Sequence, residues 1–456
     1  MVTAAHPHST SPTASTASTA STASTAPTSS TAPTASPSAA TATADVAAAH
    51  PAACSDPLRR VTRVPLLRRL GPNWYSAVMG TASVAIAGAS LPAASVTPAP
   101  PVAPVAPVAP AAVTSAAPLA AAAAEGLRDV LEAIWALSAL ALVALLAARA
   151  GHWLRHRDQA RAGLLDPAVA PFQGCMAMAL LAVGIGSLSV GGGVIGERAA
   201  VATAWTLFAT GTAAGLTAAV AVPYLLLTRR RVTVGEASPV WLLPVVAPMV
   251  AATLGALLAG RVPAGGWRRT ALLGCYGLFA LSLLAVLVIL PLVTTRLLTE
   301  GPPPLALTPA LFLVLGPLGQ STTAVHRLAD AAPGTVGEAD AAALGTFATV
   351  YGTAALGLAL LWLVPAAAMV VRAARRGMPF TMTWWAFTFP VGTCVTGAAA
   401  LSARTGAEAP AWAAAGLYLF LVVAWATAGT LTLRGLVGGA LPAAPPEPPP
   451  ATGRTR

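Results

Sequence analysis

Residues 379–392 read Pro379-Phe-Thr-Met-Thr-Trp-Trp-Ala-Phe-Thr-Phe-Pro-Val-Gly392, and they open an uncharged run that continues to Ser402. At about 1.5 Å per helical residue, such a run is long enough to cross a bilayer. Pro390 falls inside it. Proline has no N–H, so the carbonyl of Ala386 loses its helical partner and the helix is expected to bend. Hydrocarbon tolerates a freed carbonyl only where protein covers it or water reaches it. A bulky ring, Phe389, stands immediately before the break. The stretch therefore predicts a broken transmembrane helix beside a cavity, with an aromatic ring available to plug it. Helical spacing puts Trp385, Ala386, Gly392, Thr393 and Thr396 on the general face of Phe389.

The rest of the chain fits a membrane setting. Of its 456 residues 56% are hydrophobic and only 9% are charged, against roughly 25% charged in soluble domains. A polytopic all-α membrane protein follows. The formal charge of +11 comes from arginines in short loops, with no basic patch interleaved with aromatics, so nucleic acid is not an expected partner. Cys54, Cys175, Cys275 and Cys394 are far apart and form no Cys-x-x-Cys pair. They read as small packing residues rather than a zinc site or disulfide framework. No cofactor and no metal are expected.

Residues 1–56, rich in Ser, Thr, Ala and Pro, have too little apolar surface to offset their ordering entropy and read as disordered. A domain of ten spans follows over 57–440, and then a disordered tail over 441–456. The spans are expected near 72–91, 127–149, 168–189, 199–227, 239–260, 270–294, 309–326, 344–371, 380–402 and 411–433. Residues 92–124, a Pro-Ala segment with Pro-Val-Ala repeats, read as an extended polyproline-like linker outside the membrane. With the amino terminus in the cytoplasm, Arg128, Arg198, Arg261, Arg268, Arg269, Arg327 and Arg404 lie outside and the other 19 of the 26 arginines lie inside. That asymmetry places both termini in the cytoplasm of a multi-pass cell-membrane protein.

Breakers recur in the odd-numbered spans. Pro244, Pro248, Thr253 and Gly255 lie in the fifth, and Gly316, Pro317, Gly319, Gln320 and Ser321 in the seventh. Spans two and six are mostly Ala, Leu and Val, as lipid-facing helices should be. No charged residue falls near the middle of a span. Arg296, Arg327 and Arg404 stand near span ends as candidate mouth residues that would attract anions.

The wording of these segments resembles the tellurite-resistance/dicarboxylate transporter family, which includes bacterial tellurite-resistance permeases, yeast malate and sulfite carriers and plant guard-cell slow anion channels. Trp-Trp-Ala-Phe-Thr-Phe-Pro resembles its ninth helix. Val78-Met79-Gly80-Thr81 resembles its first-helix signature, Trp-Leu-Leu-Pro-Val-Val-x-Pro-Met-Val its fifth helix, and Gly316-Pro317-Leu-Gly319 its seventh. Asp166-Pro167 stands where the family usually has His-Pro. The resemblance implies five helical hairpins around a central pore lined by the odd helices, and a homotrimer. It also implies that Phe389 blocks the pore, with Pro390, Gly392, Thr396, Pro244, Pro248, Thr253, Gly316, Pro317, Gly319 and Gly80 at pore-lining or helix-break positions. The expected activity is transport of small anions, with C4-dicarboxylates such as malate first and sulfite, chloride, nitrate or tellurite-linked export as alternatives. A polytopic membrane enzyme is the rival class. It would need a cluster of reactive side chains at a common depth, and His152, His156 and Asp158 on a basic loop make a weak one. No enzyme activity is expected.

Overall fold

The computed structural model describes residues 71–91, 112–155, 157–158, 161, 166, 169–229 and 234–438. Both terminal tails, residues 92–111, the arginines at 59–69, Cys54, His156 and Pro167 lie outside the described residues.

Ten long helices make up the described chain: α1 (Tyr75–Ala89), α2 (Ala112–Arg155), α3 (Gln173–Gly186), α4 (Glu197–Arg229) and α5 (Leu242–Ala259), then α6 (Gly266–Glu300), α7 (Leu315–Asp330), α8 (Glu338–Arg375), α9 (Phe389–Thr405) and α10 (Glu408–Val437). Nine of these segments are long and apolar enough to cross a membrane on their own. The tenth, α1, has 15 residues and is extended by a 3₁₀ turn at Pro72–Trp74. The span reading is corrected at one place. Residues 112–124, expected to be extended, belong to α2. Alanine is the strongest helix former, and the run Ala120–Ala124 carries the helix where the Pro-Val-Ala repeats have ended.

Each odd helix packs against the even helix that follows it, which gives five hairpins. The odd helices also pack in a closed circuit, α1 on α3, α3 on α5, α5 on α7, α7 on α9 and α9 back on α1. Burial separates the two sets. In the most apolar stretch of α2, α4, α6, α8 and α10 only 22% of residues are buried, whereas the segments carrying α5, α7 and α9 reach 94%, 83% and 83%. The outer set presents exposed Leu140, Val220, Leu284, Leu361 and Val423, an apolar belt of the kind hydrocarbon covers. Spans four and eight, whose Gly and Pro content blurs the pattern in sequence, are therefore outer helices like the rest.

All five inner helices start in the same way, with a short 3₁₀ segment: Pro72–Trp74, Ala170–Phe172, Pro239–Trp241, Leu305–Val314 and Met382–Phe387. Proline suits a first turn, where its missing N–H costs nothing. In the last two cases the 3₁₀ piece is long, so α7 and α9 begin well inside their spans. The expected bend at Pro390 is accordingly a restart. Thr388 separates the 3₁₀ segment from α9, Pro390 sits in the first turn of α9, and Gly392 N–H donates to the Thr388 carbonyl at 2.9 Å.

Candidate functional site

The inner circuit encloses a vestibule of about 260 Å³ on the side of the C-terminal ends of α1, α5 and α7. Every described residue lining it comes from an odd-numbered span. Ser83 and Ser90 come from the α1 segment, Ser189 from the turn after α3, Thr253 from α5, Gln320, Thr323 and Arg327 from α7, and Phe389, Gly392, Thr393 and Thr396 from α9. On the other side of Phe389 lies a second pocket of about 10 Å³, lined by Met79, Met178, Leu242, Leu243, Val246, Leu313, Gly316, Pro317 and Pro390. That volume is at the lower limit for one water molecule. Phe389 lines both spaces and is itself buried, 5% exposed.

The vestibule wall is held by hydroxyl and amide bonds. Gln320 Nε2 donates to Thr253 Oγ1 at 2.7 Å, which ties α7 to α5. Thr323 and Thr396 hydroxyls meet at 2.7 Å, and the Thr323 hydroxyl also reaches the Thr393 carbonyl at 3.1 Å, which ties α7 to α9. The Thr393 hydroxyl bonds the carbonyls of Pro390 at 2.7 Å and Gly316 at 3.3 Å. These bonds satisfy buried polar groups that would otherwise destabilise the wall. Among the described residues that line the vestibule, Arg327 is the one that carries a charge.

Several sequence expectations can be placed against this geometry. Thr253, Phe389, Gly392 and Thr396 line the vestibule, and Gly316, Pro317, Phe389 and Pro390 line the small pocket. Gly80, Gly319, Pro244 and Pro248 line neither. Gly80 and Gly319 are packing positions: a Cβ on Gly80 would lie 2.9 Å from Trp385, and one on Gly319 would lie 2.5 Å from the Cys394 nitrogen. Pro244 and Pro248 are buried within α5, and the Pro244 nitrogen is 2.6 Å from where a Gly174 Cβ would fall. Trp385 and Ala386, expected on the face of Phe389, line neither of the two spaces that Phe389 lines. They lie in the 3₁₀ segment, whose tighter winding, together with the break at Thr388, changes the helical phase. Trp385 instead turns its Nε1 to Thr432 Oγ1 of α10 at 3.1 Å. Arg404 pairs with Asp330, and Arg296 bonds the carbonyls of Gly235 and Gly301, so neither lines the vestibule. Gln320, Thr323, Ser83 and Ser189 are vestibule residues that sequence reading did not single out as such. The polar run Gln320-Ser-Thr-Thr323 inside an apolar span was the available signal.

Cys175, Cys275 and Cys394 are buried, in keeping with packing roles.

Comparison with known proteins gives a consistent result. Residues 69–433 match the family model described as voltage-dependent anion channel. Among curated relatives, an uncharacterized transporter of Methanocaldococcus jannaschii is 26% identical over 250 residues, which cover 53% of this chain and 66% of the relative. A sulfite efflux pump of Trichophyton rubrum is 30% identical over 199 residues, 42% of this chain and 52% of the relative. The corresponding pump of Arthroderma benhamiae matches to the same extent. The chain thus spans about half to two thirds of the length of these relatives.

Proposed function

The chain belongs to the voltage-dependent anion channel family, and from that premise we propose that it passes small anions across the cell membrane along the axis of the inner helices, with Phe389 as the gate. The observation that carries this reading is the position of the Phe389 ring, the shared wall between the 260 Å³ vestibule and the 10 Å³ pocket. Below the ring, Met79, Met178, Leu243, Val246 and Leu313 form an apolar collar. Apolar constrictions close a path by excluding water. Conduction in this reading requires the ring to swing out of the axis and the collar to widen.

The lining favours anions over cations. Among the described residues, Arg327 is the charge at the vestibule and no carboxylate lines either space. The N-termini of α7 and α9 lie at Leu315 and Phe389, beside Gly316 and Pro390 of the small pocket. Helix N-termini carry a positive partial charge that stabilises an anion crossing there. As substrate we favour a small inorganic oxyanion such as sulfite. Two curated relatives are named sulfite efflux pumps, and neutral hydroxyl and amide groups suit an oxyanion. C4-dicarboxylates such as malate form the competing arm.

The same reading places both termini in the cytoplasm, as the arginine asymmetry supports, and the family implies a homotrimer. Proteoliposome flux with sulfite, chloride, nitrate, malate and succinate tests it. Sulfite flux above protein-free liposomes is expected; absence of flux for all five anions would refute the transport reading.

A further inference from the structure

Arg327, Asp330 and Arg404 gather at the C-terminal ends of α7 and α9. Arg327 lines the vestibule, and its side chain is 37% exposed. Asp330, one turn further along α7, is 3.9 Å from Arg327 Nη1 and is the natural i,i+3 partner for it. Yet the carboxylate is taken by another residue. Its Oδ1 accepts a hydrogen bond from Nη2 of Arg404, the last-turn arginine of α9, in the much closer of the two contacts. Arg404 in turn lies over Gly345 of α8, where a Cβ would stand 3.2 Å from its Nη1. The packing therefore leaves room for the Arg404 side chain at this position.

We propose that Arg327 is the anion-capture residue of the vestibule, and that Arg404 is a positioning residue that keeps it available by holding Asp330. The proposal rests on the anion-transport reading above. Its logic is competition for one carboxylate. With Arg404 in place, Asp330 is engaged and the Arg327 guanidinium keeps donors free for an anion entering the vestibule. Without Arg404, Asp330 has one cationic neighbour left on its own helix turn, and closing the 3.9 Å gap would neutralise the charge at the mouth. The ligand class is any small anion able to accept from a guanidinium, with bidentate oxyanions favoured by its planar fork.

The test is flux in proteoliposomes, per folded protein, resolved into half-saturating concentration and maximal rate. The anion is whichever member of the sulfite, chloride, nitrate, malate and succinate panel the wild type carries fastest. Arg404→Gln should raise the half-saturating concentration about two- to fivefold, the range for a partly exposed charge pair, and leave the maximal rate nearly unchanged. Arg404→Gln with Asp330→Asn should return it to the wild-type value or below. Arg327→Gln should raise it at least as much, and adding Asp330→Asn should not rescue that variant. The Arg404→Gln deficit should also shrink as a salt of a bulky impermeant anion is raised from about 0.01 M to about 1 M, where the screening length falls from about 30 Å to about 3 Å. A purely structural role for Arg404 would lower the yield or the maximal rate and would not follow salt. Wild-type flux with an unchanged half-saturating concentration in Arg404→Gln, or no recovery in the double variant, overturns the capture role alone. No wild-type flux for any anion overturns the transport reading and this proposal with it.

Discussion

Gly319→Ala probes the contact that positions α9, the helix that carries Phe389. At Gly319, α7 crosses α9 so closely that a Cβ would lie 2.5 Å from the Cys394 nitrogen and 2.7 Å from the Thr393 carbonyl carbon. Both are main-chain atoms, so no rotamer change relieves the overlap. Ordinary contact begins at 3.4 Å, and the helices must therefore part by about 0.9 Å. Separation on that scale forfeits a quarter to a half of the dispersion attraction along the contact. It also stretches the bonds from Thr323 to Thr396 and to the Thr393 carbonyl, now 2.7 and 3.1 Å. Overpacking of this kind costs about 1–3 kcal/mol, and rigid backbone on both sides puts Gly319→Ala toward the upper end. That corresponds to a fall of about 1–4 °C in apparent melting midpoint for a folded unit of this size. Gly316→Ala is the internal control. One turn away on the same helix, its Cβ would meet Pro390 at an unstrained 3.8 Å, and alanine is the better helix former by roughly 0.5–1 kcal/mol. The assay is thermal unfolding of purified protein in detergent at one fixed heating rate, because membrane-protein unfolding is commonly irreversible. A Gly319→Ala midpoint equal to wild type would refute the packing argument, as would a Gly316→Ala midpoint just as low.

Further consequences can be measured with the same preparations. Thr253→Val removes the acceptor of the buried Gln320 amide and should cost about 1–3 kcal/mol, whereas Thr253→Ser should keep the wild-type midpoint; equal midpoints would show that the bond contributes nothing. For topology, cysteines introduced as Pro110→Cys and Arg157→Cys should react with an impermeant reagent on intact cells at the first position and not at the second; the reverse pattern would invert the assigned orientation. Deletion of residues 2–50 should leave insertion and transport largely intact, as their composition predicts; loss of folded protein in detergent would assign that segment a structural role.

Sequence carried the architecture well because each inner helix announces its break. The prolines at 72, 171 and 239 mark 3₁₀ entries, Pro309 lies within the long 3₁₀ segment before α7 and Pro390 in the first turn of α9, and proline chemistry leaves few other options in hydrocarbon. Helix phase was less legible. Which side of α7 faces the axis is decided by its packing on α5, α8 and α9, so Gln320 and Thr323 could be read as polar but not as lining. Across the break in the ninth span, a 3.6-residue period carried Trp385 onto the wrong face, because the winding changes at Thr388. Glycines divided in the same way. Gly316 borders the small pocket with room for a Cβ, while Gly80 and Gly319 permit helix contact and Gly392 does both, lining the vestibule where a Cβ would lie 2.8 Å from Ser83; sequence spacing does not distinguish these uses. Arg327 and Arg404 looked equivalent as loop arginines until the position of Asp330 separated them.

The gate itself is tested most directly by anion flux through Phe389→Ala in proteoliposomes, normalised to folded protein. Truncating the ring joins the vestibule to the pocket below it, so the account predicts higher flux than wild type for every anion that wild type carries, with near-normal yield. If Phe389 were only a packing residue, the change would leave a cavity costing about 3–5 kcal/mol and would lower stability without opening a path. A folded Phe389→Ala protein with unchanged or reduced flux across the panel would contradict the gate.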